Sequence, residues 1–465
     1  MKTEMQLDPV KLDVDLDCIH MINKTITLRL YPSVELRDAL WQLSGNERYV
    51  WNHLVEFNRV YHALYPEAPA LSKYDLMPLI AKLKKRQSFL KQNDAAGLQI
   101  VVERYSTALR NMLNYFKQLK AGKHPRKVGF PHFRSRKHDL HAFGGKVNNH
   151  NVRVVGHNLV KLPKLKQPQR TSSTNDLAGW KIKAYRVLLR NDGHYELVLF
   201  VEGENQAMKH SGKVIGVDCN LKNLCVLSNG KTYAAFRGHR IDKLIQRSRL
   251  YQRKMSRSYQ RAKIIMAREE AEKVLQPHSL LDFKNYWKYR RMFNHYNILI
   301  KRKKRQYLLD VVNELVKHYD VIVLEHLQVQ NMMKNHHIAE SIADSSWHEF
   351  RSILEYKCLW NNKLLITVPA AYTTQQCHSC GFIMGTHSTK KLAPVQRDWT
   401  CPRCHVHQRR DQNAAINIRN KFLADPQKYI QQVKQKHLSE LTAYRSNSAQ
   451  ILKPLLDEYA DVFTT

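Results

Sequence analysis

Along this chain the spacing of apolar positions switches between two residues and three-to-four, and each switch marks a change of element. Residues 1–22 have no period and are locally acidic (Glu4, Asp8, Asp13, Asp15 and Asp17 against Lys2 and Lys11), the pattern of a loose extension. Lys24-Thr25-Ile26-Thr27-Leu28-Arg29-Leu30-Tyr31 alternates polar with apolar side chains and predicts a strand closed by Pro32. From Val34 to about Lys120, residues such as Leu40, Trp51, Leu54, Val55, Leu79, Leu83, Leu109 and Leu113 fall at helical spacing. Strands return from about Val152 to Glu202, most clearly in Tyr195-Glu196-Leu197-Val198-Leu199-Phe200-Val201. A β segment interrupted by a helical insertion therefore fills the first 210 residues.

From Lys213 the pattern becomes α/β. Val214-Ile215-Gly216-Val217-Asp218 reads as a buried strand. Leu224-Cys225-Val226-Leu227 and the turn Ser228-Asn229-Gly230 give a hairpin signal. A long helical stretch follows, from 243 to about 318, and then a second buried strand, Val321-Ile322-Val323-Leu324, ending at Glu325. The apolar runs are strand-sized, far short of a bilayer span. With no lipidation motif and no signal peptide, a soluble intracellular protein is expected.

Charge narrows the picture. The 465 residues hold 76 Lys+Arg against 40 Asp+Glu, a net charge of +36. That excess points to a polyanionic partner, for which each neutralised phosphate releases a counterion. Between Lys243 and Arg305 there are 19 Lys+Arg against four acids, Glu269, Glu270, Glu272 and Asp282, with Tyr251, Tyr259, Tyr286, Trp287, Tyr289, Phe293 and Tyr296 interleaved. This run is expected to track a phosphate backbone, the plainer alternative being a solvated face.

Eight cysteines are too few for a disulfide scaffold. Cys18, Cys219, Cys225 and Cys358 are scattered and read as buried thiols. The other four form Cys377-His378-Ser379-Cys380 and, after twenty residues, Cys401-Pro402-Arg403-Cys404. Two CxxC knuckles predict a tetrahedral thiolate cage, which suits a structural zinc with no open position. An iron–sulfur cluster or redox pair is the alternative, and one of His378, His387, His405 or His407 is a possible substitute ligand.

A second constellation is dispersed. Asp218 and Glu325 each end a buried strand, and Asp411 stands where Arg410-Asp411-Gln412-Asn413-Ala414-Ala415-Ile416-Asn417 begins a helix. Singly, they read as a turn former, a strand-end surface acid and a helix N-cap. Jointly, they match a set of hard oxygen ligands for two Mg²⁺ or Mn²⁺ ions in phosphodiester hydrolysis.

Gly216-Val217-Asp218 followed by Leu221-Lys222-Asn223-Leu224, the strand ending at Glu325 and Arg410-Asp411-Gln412-Asn413-Ala414-Ala415 resemble the three motifs of a RuvC nuclease. With Tyr372-Thr373-Thr374-Gln375-Gln376-Cys377-His378-Ser379-Cys380-Gly381 and the second CxxC before the third motif, the chain resembles the transposon-encoded TnpB (OrfB) family, related to compact type V CRISPR effectors. Arg29-Leu30-Tyr31-Pro32, Arg48-Tyr49-Val50-Trp51-Asn52, Pro131-His132-Phe133-Arg134-Ser135-Arg136 and Trp347-His348-Glu349-Phe350 extend the likeness over most of the chain.

The resemblance implies an α/β multidomain protein. Its expected parts are an extension (1–22), a wedge β-barrel in two pieces (23–35 and 123–210) and a helical recognition lobe (36–122). A RuvC domain of RNase H-like fold with a basic helical insertion (211–371) follows, then a zinc ribbon (372–407), the last RuvC piece (408–425) and a tail (426–465). It implies catalytic and Mg²⁺-binding roles for Asp218, Glu325 and Asp411, and zinc-binding roles for Cys377, Cys380, Cys401 and Cys404. The implied partners are a guide RNA from the element's own end and target double-stranded DNA, in a prokaryotic cytoplasm, with one protein chain per guide. Asn220 stands where the family usually has Gly; Asn also tolerates positive φ, so the turn is expected to survive. The competing functions are a compact CRISPR nuclease, an RNA-guided binder that no longer cuts, and a transposase joining DNA ends without RNA.

Overall fold

The computed structural model describes residues 21–136, 141–204, 208, 211–220, 222–236, 241–326, 347–393, 395–433 and 435. The acidic extension up to residue 20, Cys18 within it, Leu221 and the tail beyond 435 lie outside the described residues. Two compact units form, one from His20–Glu204 with Tyr251–His295, the other chiefly from Asn205–Leu250 with Tyr296 onward. No described helix is long and apolar enough to cross a membrane.

The first unit is organised by β1 (Met21–Tyr31), whose Ile22, Ile26, Leu28 and Leu30 are buried, the alternation that one covered sheet face requires. It pairs antiparallel with β7 (Tyr195–Glu204) from Met21↔Glu204 to Leu30↔Tyr195. Around this pair lie β2 (Ala142–Lys146), β3 (Arg153–Gly156), β4 (Leu159–Lys161), β5 (Gln169–Thr171) and β6 (Lys181–Leu189) in the order β2-β6-β7-β1-β5-β4-β3. The part of the expected barrel that forms is a half-barrel sheet. Its edge strands β3 to β5 are three or four residues long, and among the described residues none pairs with β2.

Between β1 and β2 the chain inserts α1 (Val34–Leu64), α2 (Lys73–Arg86) and α3 (Ala95–Lys120). Ser33 starts α1, its Oγ accepting the Leu36 N–H at 3.1 Å. The apolar stripes of the three helices meet in a core around Leu54, Leu76, Leu98, Val102 and Tyr105. The long basic helical stretch consists of two helices, α4 (Asp242–Ala271) and α5 (Lys284–His318). The break contains Lys273 at φ +50° and Pro277, and Ser279 with Asp282 caps the short turn that re-enters α5. Many of the interleaved aromatics hold the helices together: Tyr259 meets Tyr286 at 5.7 Å and Tyr251 meets Tyr289 at 6.5 Å between ring centroids. Arg253, Lys254, Arg257, Arg261 and Lys263 remain exposed along α4. The run is thus a cationic surface on an aromatic seam rather than a row of open stacking platforms.

The second unit is built on a mixed sheet of β8 (Val214–Asp218), β9 (Asn223–Leu227), β10 (Thr232–Ala234), β11 (Val321–Glu325) and β12 (Leu364–Val368) in the order β10-β9-β8-β11-β12. Strands β8, β11 and β12 are mutually parallel, and β9 and β10 continue antiparallel. Alternation divides its two faces. Ile215, Val217, Ile322 and Leu324 pack with Val312 and Leu315 of α5 and with Phe350 and Leu354 of α6 (Trp347–Trp360). Val321 and Val323 pack on the other face with Ile418 and Phe422 of α7 (Arg410–Ala424). Asn220 takes no positive φ; instead its Oδ1 accepts the Asn223 N–H at 2.8 Å and closes the turn.

Candidate functional site

The faces of the mixed sheet decide where the strand-end acids go. Asp218 continues the β8 series that includes Gly216, and Glu325 continues the β11 series Val321, Val323, so both belong to the face covered by α7. Register puts them side by side: Val217 pairs with Leu324 on parallel neighbours, and each acid is the next residue. Adjacent strands run about 4.8 Å apart.

Asp411 reaches the same place through Gly216. A Cβ at Gly216 would lie 2.1 Å from the Ala415 carbonyl oxygen and 2.8 Å from the Arg419 nitrogen, so the α7 backbone rests directly on β8 there. One helical turn before Ala415 is Asp411, and two strand residues after Gly216 is Asp218. A turn rises about 5.4 Å and two strand residues about 6.6 Å, so the steps nearly match. Asp218 senses the other two accordingly. Burial first, then Glu325, then Asp411 push the Asp218 carboxyl well above the usual carboxylate range, against the pull of Arg410. Burial also raises Glu325, opposed by a hydrogen bond from Thr373 and by the Lys421 ammonium.

The geometry departs from the single-residue readings. The N-cap of α7 is Arg409, so Asp411 is not the cap. Asp218 is 7% exposed, and Glu325 is half-buried and accepts the Thr373 hydroxyl at 2.9 Å. Among the described residues no cation closes an ion pair on Asp218 or Glu325, whereas Arg397 Nη1 contacts both Asp411 oxygens at 3.0 and 3.2 Å. Carboxylate oxygens are the donor type a hard divalent ion takes, and two of these three acids, Asp218 and Glu325, have no ion pair among the described residues, while Asp411 is held by Arg397.

The four cysteines form the second centre. Cys377 and Cys404 lie 3.6 Å apart at Sγ, as do Cys380 and Cys401, and all four sulfurs fall within 4.8 Å of one another. Thiolates around a tetrahedral zinc sit about 3.8 Å apart, a disulfide about 2.05 Å, so the cage has the spacing of a metal site. Knuckle turns produce it: the Cys377 carbonyl accepts the Gly381 N–H at 2.9 Å and the Cys401 carbonyl the His405 N–H at 2.9 Å. Burial pushes the Cys377 thiol up, but the Cys380 and Ser379 N–H groups and Gln408, whose Nε2 donates to Sγ at 2.7 Å, more than offset it and bring it to about 6. Among the described residues no histidine joins the four sulfurs. His378, next to Cys377, uses Nδ1 on Gln408 Oε1 and Asn413 Oδ1, each at 3.0 Å. Of the other thiols, Cys225 and Cys358 are buried and Cys219 is half-buried.

The ribbon's own apolar core is small, chiefly Leu392 and Trp399 beside the cysteines. A zinc ion in the cage would therefore supply much of the ribbon's stability, since apparent zinc binding contributes about 10–16 kcal/mol in isolated modules. We expect one zinc per chain by elemental analysis. Cys401→Ser should lose it together with amide protection over residues 377–408, while strands β1 and β7 stay protected in hydrogen exchange. Retained protection in the metal-free ribbon would contradict this.

Thr373, Asn413, Asn417, Gln408 and Arg397 also belong to these centres. Sequence reasoning assigned them no role, although the four-residue spacing of Asn413 and Asn417 on a helix was a signal that both serve one contact.

The chain is thus an α/β multidomain protein joining a half-barrel sheet to a four-cysteine ribbon. Known families match it in order: the OrfB_IS605 helix-turn-helix domain over residues 21–64, OrfB_IS605, described as "Probable transposase", over 198–336, and the Cas12f1-like TNB domain over 347–418. In this chain the first stretch is one strand and one long helix. It is 25% identical over 404 residues, 86% of this chain and 89% of its relative, to a protein of Streptomyces pristinaespiralis named as an RNA-guided DNA endonuclease. It is 26% identical over 313 residues to InsQ of Escherichia coli strain K12, named likewise, over 63% of this chain and 68% of that one. The solved complex of Cas12f1 with its sgRNA and target DNA matches at a TM-score of 0.43 and 13% identity, over 86% of this chain and 99% of that one. In these matches the chain is similar to the TnpB (OrfB) family.

Proposed function

We propose that this protein is the RNA-guided DNA endonuclease of a transposable element. It takes a guide from RNA of the element's own end and cuts double-stranded target DNA beside a short adjacent motif, in a prokaryotic cytoplasm. The observation that carries this reading is the convergence of Asp218, Glu325 and Asp411 on one face of one sheet. Read in chain order, that sheet runs 3-2-1-4-5, which supports an RNase H-like RuvC domain over 211–371 and 408–425. Residues 23–35 and 123–210 then form the wedge and 36–122 the recognition lobe.

Asp218, Glu325 and Asp411 would hold Mg²⁺ or Mn²⁺, and Cys377, Cys380, Cys401 and Cys404 zinc. Bound divalent ions would supply activation of the attacking water and stabilisation of the leaving 3′-oxygen. The chain supplies the rest. Burial of Asp218 sets up a demand for positive charge, and β8, β11 and α7 preorganise the three donors. Base pairing with the guide reads sequence while cationic surfaces such as α4 hold the backbone. An RNA-guided binder that never cuts has no use for three converging carboxylates.

The test is to co-purify the protein with its RNA and supply matching DNA. Cleavage should require that RNA and Mg²⁺ or Mn²⁺. Heterogeneous RNA with no common end, or strand-transfer products formed without RNA, would refute the reading. Affinity for guide and target should also drop steeply with salt, by roughly a thousandfold between 50 and 200 mM if some six phosphates are neutralised. A flat salt response would show that the exposed arginines and lysines of α4 do not contact phosphate.

A further inference from the structure

The segment that enters the first cysteine knuckle is tied at one end to Glu325 and along its length to two asparagines of α7. Thr373, 2% exposed, directs its hydroxyl at Glu325 Oε2 at 2.9 Å and at the Ala370 carbonyl at 3.1 Å. A hydroxyl has one hydrogen, and the charged, nearer acceptor takes it. Among the described residues Oε1 of Glu325 receives no donor, so the contact ties down one oxygen and leaves the other for a cation.

The same segment hangs from α7. Asn417 Nδ2 donates to the Thr373 carbonyl at 2.9 Å and to the Gln376 carbonyl at 2.6 Å. One turn earlier, Asn413 Nδ2 donates to the Gln376 carbonyl at 2.8 Å, while its Oδ1 accepts the His378 N–H at 2.9 Å. Both asparagine side chains are almost wholly buried. Cys377 lies between the two residues so gripped, and Asp411 stands two residues before Asn413 on the same helix. Six residues, Thr373 to His378, therefore connect a thiolate ligand, the orientation of Glu325 and the helix that carries Asp411.

We propose that Thr373 is a positioning residue for Glu325, and that the cysteine knuckle, through Thr373, Asn413 and Asn417, sets the geometry with which the carboxylates take their divalent ions. The inference rests on the carboxylate site proposed above and adds that the ribbon acts on that site as well as on its own fold. Residues that orient metal ligands typically contribute 10- to 100-fold in metal affinity or activity.

The test compares Thr373→Val, which removes the hydroxyl at nearly constant shape, with Thr373→Ser, which keeps it, in the full chain bound to its guide RNA. Thr373→Val should bind Mn²⁺ 10- to 100-fold more weakly by electron paramagnetic resonance titration. It should cut correspondingly less at low Mg²⁺ and regain most of its rate at high Mg²⁺. Zinc content should stay at one per chain and target binding within twofold. Thr373→Ser should restore the Mn²⁺ affinity. If Thr373→Val melts early or loses zinc, Thr373→Ala against Thr373→Ser carries the same comparison. Wild-type Mn²⁺ affinity and Mg²⁺ dependence without the hydroxyl would overturn the proposal. Asp218→Ala keeps the two readings apart: if it still cuts, the carboxylate site itself is wrong, whereas if it is inactive while Thr373→Val matches wild type, only the positioning role falls.

Discussion

Guide-loaded protein carrying Asp218→Asn binds its target and leaves it uncut. The substitution keeps the side chain's size and removes the charge of the most buried of three acids. Cleavage should fall by roughly a thousandfold or more, because several kcal/mol of transition-state charge stabilisation depend on the metal ligands. Wild-type cutting would refute the site. A second readout has the opposite sign. In the metal-free fold Asp218 holds its proton to a higher pH than in the unfolded chain, because burial, Glu325 and Asp411 all disfavour its anion. Folded protein then binds more protons than unfolded, so this group's stabilising contribution is complete below its ordinary carboxylate range and is lost as pH rises through the elevated folded value. Without divalent ions, Asp218→Asn should therefore melt higher than wild type near neutral pH, and the gap should close toward pH 4. Mg²⁺ should reverse the order, since it stabilises only the chain that binds it. Equal melting temperatures in both conditions would mean that Asp218 carries no such strain.

Gly216→Ala should disable the site without touching an acid. The added methyl would meet the Ala415 carbonyl oxygen at 2.1 Å and the Arg419 nitrogen at 2.8 Å, and backbone cannot rotate aside. The helix must lift from β8, which carries Asp411 away from Asp218. Displacement by about 1 Å at a reacting centre can cost about 100-fold, and overpacking of this kind costs about 1–3 kcal/mol of stability. The expected result is a lower melting temperature, cleavage down by about two orders of magnitude and zinc content unchanged. Adding Ala415→Gly should not rescue it, because the obstacle is the Ala415 main chain. Full activity in Gly216→Ala, or rescue by trimming Ala415, would show that this contact does not place Asp411.

Gly216 also marks the limit of what one-dimensional reasoning can see. Its neighbours declare a buried strand, and any small or apolar residue would continue that pattern. Only the passage of α7 across β8 makes it a place where a Cβ has no room. The basic stretch from 243 to 318 is a similar case. Its composition spoke of a cationic helical stretch, but only the fold shows that the break near Pro277 turns it back so that Tyr259 and Tyr286 meet each other. Thr373 is the sharpest example, because nothing in Tyr372-Thr373-Thr374 announces an acceptor 48 positions upstream.

The amino-acid order alone determined the two cysteine knuckles, the strand ends bearing Asp218 and Glu325, the helix start bearing Asp411 and the cationic surplus. Each of these is written in contiguous residues through a local period, a turn or a ligand spacing. Tertiary structure decided which sheet face the acids share, which glycine admits the helix that completes them, which cation holds Asp411 and which hydroxyl holds Glu325. Those depend on parallel register and on helix–strand contact between segments far apart in the chain, and such pairings exist only after the core has closed.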